Sequence, residues 1–220
     1  MERIFAIGDI HGCAKTFETL LINNLQIQKS DSIYCIGDYI DRGKKSKEVI
    51  DFILGLKDEG YQIYTIRGNH EQMLLDSFNN EEASDLWLKN GGKTTMKSFG
   101  IQSIVDLTEK YLSFFTDTEF YILKDDYIFV HAGLNFENEN IFEDREAMLW
   151  IRSFDTQQPA LGNNILIHGH TPESLNVILN QNSNCVNIDG GCVYNKHKHL
   201  GNLVALDVKE RKYISIRNCE

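Results

Sequence analysis

Short, largely apolar runs that stop at glycine-containing polar loops recur along this chain. Residues 3–7, 33–36 and 61–66 are three of them, and they lead into GDIHG at 8–12, GDYIDRG at 37–43 and RGNHE at 67–71. Short apolar stretches bounded by glycine suit strands covered on both faces, as in a parallel sheet. Phe17, Leu20, Leu21 and Leu25 follow the first loop, and Val49, Ile50, Phe52, Ile53 and Leu56 follow the second. Both sets recur with helical period, and Gly60 ends the second helix. Strand, polar loop and helix in alternation predict an α/β sheet that binds its ligand at the carboxyl ends of its strands. Residues 80–118 interrupt this rhythm with helical stretches carrying Leu86, Trp87, Leu88, Leu107, Tyr111, Leu112, Phe114 and Phe115. Their aromatics are expected in the core, with the section itself covering or flanking the cleft. Strands are expected at 120–123 and 127–130, joined by a turn at 124–126, and again at 165–167. Residues 175–179, 185–188, 203–208 and 213–216 read as a further run of strands forming a second sheet.

Composition narrows the class. A chain of 220 residues with 42% hydrophobic and 25% charged residues predicts one ordered domain spanning residues 1–220. Residues 1–7 are too short and too charged for a signal peptide, and no apolar run approaches the roughly 20 residues of a membrane span. A soluble, cytoplasmic protein is expected. Cys13, Cys35, Cys185, Cys192 and Cys219 are an odd set without CxxC spacing, which fits reduced thiols. The formal charge of −10 disfavours binding to nucleic acid or to an anionic membrane.

The loops carry the candidate chemistry. Asp9 and His11 flank Ile10, and residues two apart in an extended segment point the same way, so both can face one cation. A helix-capping aspartate beside a surface histidine fits the same letters. Asp38 and Asp41 bring two carboxylates into one turn and so call for positive charge beside them. A capping aspartate with a left-handed Gly43 is the alternative there. Asn69 offers a neutral carbonyl oxygen and His70 an imidazole able to give or take a proton, so ligand and general acid can stand side by side. His131 ends an apolar run ahead of Gly133, repeating the pattern. His197 and His199 lie between lysines and are expected on the surface.

GDIHG, GDYIDRG and GNHE in this order resemble the signature of the metal-dependent phosphoprotein phosphatases, within the calcineurin-like metallophosphoesterase superfamily. GNHEQM followed by WLKNGG at 87–92 is similar to the small bacterial and bacteriophage branch typified by the lambda phage protein phosphatase. HAG at 131–133, LWIR at 149–152, HGHTP at 168–172 and IDGGCVY at 188–194 extend the resemblance over nearly the whole chain. It implies a four-layer αββα sandwich of two mixed β-sheets flanked by helices. It also implies two divalent ions, with Asp9, His11 and Asp38 on one, Asn69, His131 and His170 on the other, and Asp38 bridging. Of the two histidines in HGHTP, the resemblance makes His170 the ligand and His168 a supporting group. Pro172, where many other superfamily members carry a further histidine, agrees with the phosphatase branch. The mixed oxygen and nitrogen set suits manganese, with iron or zinc as alternatives.

Two cations about 3.5–4 Å apart can lower the pKa of a bound water, and the resulting hydroxide is the expected nucleophile toward phosphorus. The resemblance further implies that His70 protonates the leaving group, that Asp41 orients His70, and that Arg42, Arg67 and Arg152 hold phosphate oxygens. For Arg67 and Arg152 a salt bridge to a nearby carboxylate is the alternative. The function so implied is a serine/threonine phosphatase acting on phosphorylated proteins, with phosphotyrosine left open. The competing function is a symmetrical diadenosine tetraphosphatase or related pyrophosphohydrolase. That branch typically has alanine at the position of Asp41 and GNHD for GNHE, so Asp41 and Glu71 favour the phosphatase.

Overall fold

The period-two alternation of the strands divides their apolar side chains between two faces, and this sets the layers. The computed structural model describes residues 2–155 and 158–220. In chain order its elements are β1 (Ile4–Ile7), α1 (Ala14–Thr19), β2 (Ser32–Cys35), α2 (Ser46–Asp58), β3 (Gln62–Thr65), α3 (Asn69–Asp76), α4 (Glu81–Trp87), α5 (Lys93–Phe99) and α6 (Glu109–Thr116). There follow β4 (Tyr121–Lys124), β5 (Tyr127–Val130), α7 (Arg145–Trp150), β6 (Ile165–His168), α8 (Leu175–Leu179), β7 (Cys185–Asn187), β8 (Asn202–Asp207) and β9 (Lys212–Arg217). One mixed sheet has the order β3-β2-β1-β8-β9, and the other has the order β4-β5-β6-β7.

Ile4 and Ala6 of β1, Tyr34 of β2, and Val204 and Leu206 of β8 face the second sheet, where Phe129 of β5 and Ile167 of β6 meet them. Tyr34 stacks on Phe129 with centroids 4.1 Å apart, which seals the contact between the sheets. The alternate residues Phe5, Ile7, Ile33 and Cys35 turn to the other face and pack with Phe17, Leu20, Val49, Ile53, Trp87 and Phe115 from the helices. Ile128, Val130 and Leu166 line the outer face of the second sheet against Met148 of α7. The result is helix, sheet, sheet, helix, as expected. Among the described residues no helix is long and apolar enough to cross a membrane, and all five cysteines are free thiols.

Two expectations fail. Residues 175–179 form the short helix α8 instead of a strand, started by the Ser174 hydroxyl accepting from the Val177 N–H. Ile178 is buried while Val177 and Leu179 are exposed, so only one face packs, a pattern too short to show a helical period in a five-residue, largely apolar run. The later strands also do not form a second sheet together. β7 joins β6 in parallel, whereas β8 returns beside β1 and runs antiparallel to it, with β9 beyond. Strand periodicity alone carries no partner information.

Candidate metal centre

The parallel strands β1, β2 and β3 of one sheet and β5 and β6 of the other release their chains at one shared edge. The loops they feed are knitted together by backbone bonds. Ile10 and His11 donate to the Asp38 carbonyl, Gly12 donates to that of Tyr39, and Gly169 donates to that of His131. Approach is close enough to require glycine: a Cβ on Gly68 would lie 2.2 Å from Asp38 Oδ1 and 2.3 Å from Asp38 N. Among the described residues, eight non-glycine residues have positive φ, and five of them are His11, Asp38, Asp41, Arg42 and His170. Side chains adopt this region at a cost, and such strain clusters where function over-determines the backbone.

Two groups of donors form, and Asp38 belongs to both. His11, Asp38 and His70 present ligand atoms within 4.8 Å of one another, and so do Asp38, His131 and His170. The two carboxylate oxygens of Asp38 divide between them. Oδ2 lies 3.3 Å from His11 Nε2 and 3.9 Å from His70 Nε2, while Oδ1 lies 3.5 Å from His131 Nε2. Asn69 Oδ1 completes the second group, 3.0 Å from His131 Nε2 and 3.1 Å from His170 Nδ1. Asp9 lies outside both groups but is buried beside them, its Oδ1 accepting the His170 N–H at 3.3 Å.

Hydrogen bonds at the far side of the rings decide which nitrogens are free. His11 Nδ1 donates to the Ile40 carbonyl at 2.8 Å and His131 Nδ1 to the Ile36 carbonyl at 2.9 Å, so both Nε2 atoms turn a lone pair inward. On the second group, His131 Nε2 and His170 Nδ1 stand 3.2 Å apart beside the acceptor oxygens of Asn69 and Asp38. A crowd of buried acceptors is resolved by a cation. Arg42 shows the same demand on the first group, its Nη1 lying 2.6 Å from His11 Nε2. Burial lowers the pKa of His11 and His131 and brings that of His170 down to about 3, a bias toward the neutral form that binds metal. Burial opposes ionisation of Asp38, while charge on the His131, His70 or His11 ring and the hydrogen bond to His11 favour it, and the balance holds its pKa well below the usual carboxylate range. Burial, reinforced by Asp189 and Asp38, raises Asp9, a charge conflict that divalent cations relieve. The donor set therefore fits two metal ions.

His70 and Asp41 form a unit beside this centre. His70 Nδ1 donates to Asp41 Oδ2 at 2.7 Å, and His70 Nε2 is buried without a partner. Such an orphan is costly unless a ligand meets it. Asp41 is itself anchored by α4 and α5, since Trp87 Nε1 donates to its Oδ2 at 3.0 Å and Thr95 Oγ1 to its Oδ1 at 2.6 Å. Sequence reading named Trp87 as core and left Thr95 out, and no local signal marks either as a partner of Asp41. Glu71 has a larger part than its use as a family marker suggested. It accepts N–H bonds from Asp38 at 2.8 Å, Tyr39 at 2.9 Å and Gly68 at 3.0 Å, tying the second loop to the third. A glutamate in the first turn of a helix, three residues after the cap, is the signal that finds it.

The arginines separate. Arg42 lies against the first group, and Arg152 lines a cavity of about 350 Å³ with His168 and Thr171. Arg67 turns to the 115–118 segment, donating to Thr118 Oγ1 at 2.9 Å, the Thr116 carbonyl at 2.9 Å and the Thr118 carbonyl at 3.0 Å. Its guanidinium also lies over the Phe120 ring, so in this structure it meets backbone carbonyls rather than a carboxylate. His168 packs beside Phe154, and burial takes its pKa to about 4. His197 and His199 are exposed.

Residues 2–209 match the family described as calcineurin-like phosphoesterase. The bis(5'-nucleosyl)-tetraphosphatase PrpE [asymmetrical] of Oceanobacillus iheyensis is 27% identical, over 97% of this chain and 92% of its own length. Serine/threonine-protein phosphatase 1 of Salmonella typhimurium is 38% identical over 41% of this chain and 39% of its own. A solved protein serine/threonine phosphatase from Saccharomyces cerevisiae shares the fold with a TM-score of 0.71, covering 100% of this chain and 81% of that one at 17% identity.

Proposed function

This chain belongs to the calcineurin-like phosphoesterase family, and on that premise we propose that it is a two-metal phosphomonoesterase acting on phosphoserine and phosphothreonine in proteins. Asp9, His11 and Asp38 would hold one ion and Asn69, His131 and His170 the other, with manganese best suited to the mixed donors and iron or zinc as alternatives. When bound, the ions supply Lewis acidity toward phosphate oxygens and an activated water at neutral pH. Arg42, which meets His11 of the first group, and Arg152, which lines the cavity beside His168 and Thr171, would each offer a planar guanidinium to equatorial phosphate oxygens. Arg67 would join them only by leaving its carbonyl partners.

The observation that carries the reading is the Asp41–His70 pair. Asp41 fixes the proton on His70 Nδ1, so a protonated ring presents an N–H at Nε2, a buried atom with no hydrogen-bond partner. A serine or threonine alkoxide is a strong base and leaves well only with a proton supplied. A nucleotide phosphate leaves without one. A pair built to deliver a proton therefore favours the alkyl monoester. The second reading, hydrolysis of a dinucleoside tetraphosphate, is favoured by the name of the relative that aligns along the whole chain. Comparing kcat/KM for a phosphoserine peptide and for diadenosine tetraphosphate, with manganese present, separates them. The phosphopeptide is expected to be the better substrate, and the opposite order would transfer the assignment to the tetraphosphate.

A further inference from the structure

Although the chain is acidic as a whole, one cavity beside the metal centre is basic. A pocket of about 360 Å³ is lined by Arg42, Lys44, Lys45 and Lys196, with Glu220 as its acidic member. Arg42 belongs to both places: its Nη1 meets His11 in the first donor group, and the same residue forms a wall of the basic pocket. The two spaces therefore adjoin. Lys44 and Lys196 are exposed, and among the described residues neither has an ion-pair partner, so two cations point at solvent from opposite segments of the rim. Lys45 is the exception, and its partner is informative. The Glu220 carboxylate sits on it with Oε2 3.0 Å from Nζ, while Oε1 accepts the Thr16 N–H at 2.9 Å. A glutamate side chain carried on polypeptide is thus already accommodated here.

We propose that this basic pocket is a subsite for the carboxylate of an aspartate or glutamate flanking the phosphorylated residue of a polypeptide substrate. The proposal rests on the phosphoprotein reading given above and adds a preference to it. A phosphate held at Arg42 places its own chain at the mouth of the pocket, and an acidic neighbour would find Lys44 and Lys196 without displacing Glu220 from Lys45. Lysine suits such a task, since its flexible stem and point charge follow an acidic side chain of variable position. Attraction across the rim would lower KM and leave kcat alone, because the pocket does not touch the reacting atoms.

The test uses the full-length, manganese-loaded protein and two phosphoserine peptides of equal length, one with glutamates flanking the phosphoserine and one with glutamines. With about two exposed charge pairs at stake, KM for the acidic peptide should be roughly fivefold lower at low salt, and the gap should close at high salt. The Lys44→Gln, Lys196→Gln double variant should shrink that preference to under about twofold while 4-nitrophenyl phosphate turnover stays at the wild-type value. An unchanged preference in the variant would overturn the subsite. Equal use of the two peptides by the wild type would do so as well. If the double variant instead raised KM for diadenosine tetraphosphate and spared both peptides, the pocket would belong to a phosphate chain. Hydrolysis of 4-nitrophenyl phosphate with no hydrolysis of either peptide would remove the phosphoprotein reading itself, an outcome distinct from loss of the preference alone.

Discussion

The strand-end loops and the helical section at residues 80–118 meet at Asp41, and they differ in how they serve it. The loops bring Asp9, His11, Asp38, Asn69, His131 and His170 to one edge through short local turns held by backbone bonds. The helical section contributes no ligand. It reaches in with Trp87 and Thr95 to fix the carboxylate that orients His70. One region assembles the donors, and the other holds the carboxylate that meets the His70 ring. The difference teaches that the loops carry both the donors and the Asp41–His70 pair, while the helical section acts on that pair only through Asp41, so its hold can be perturbed without touching a donor.

Breaking the pair that Asp41 and His70 form should have the largest effect. His70→Asn should lower kcat for a phosphoserine peptide by about 10²-fold or more, with a smaller loss on 4-nitrophenyl phosphate, whose leaving group needs little protonation, and with metal content retained. Equal loss on both substrates would show that His70 serves the donors instead. On the loop side, Gly68→Ala should cost about 1–3 kcal/mol of stability in denaturant unfolding, since its new methyl meets Asp38. A variant as stable as the wild type would mean that the loops are looser than the close approach implies. Trp87→Phe removes one N–H from a buried carboxylate, and a bond of that kind contributes about 1.5–3 kcal/mol. If a good part of that supports His70, kcat on the phosphopeptide should fall about tenfold, and 4-nitrophenyl phosphate should suffer less. A change equal on both substrates would reduce Trp87 to packing. Leu86→Ser, on the same helix but 53% exposed, should stay within about 0.5 kcal/mol of wild-type stability and leave both rates unchanged.

The same contrast explains what sequence could reveal. Apolar runs ending at GDIHG, GDYIDRG and RGNHE announce strands and their loops, because strand, glycine and polar side chain lie within a few residues of one another. The αββα layering and the meeting of Asp38 with His11 and His131 agree with what the motifs imply. Trp87 lies 46 residues from Asp41 and Thr95 lies 54, and no periodicity links residues across such spans. The same limit misplaced residues 203–208 and 213–216, whose alternation marks them as strands but leaves their sheet unspecified. Helix α8 differs for another reason, since the β-branched Val177 and Ile178 inside a short apolar run favour a strand by type and the Ser174 cap argues otherwise. Arg67 shows a further gap: the motif marks the residue, while its side-chain direction depends on the 115–118 carbonyls that happen to lie beside it.

The central claim is that one carboxylate, Asp38, with an oxygen turned to each donor group, would serve both metal sites. Counting manganese bound per chain in purified wild type and in Asp38→Asn, by elemental analysis after equilibrium dialysis, tests it without any assay of activity. Two equivalents in the wild type and loss of tight binding at both sites in the variant are the predicted result. A variant that keeps two tightly held ions, or that loses one and holds the other at wild-type affinity, would contradict it.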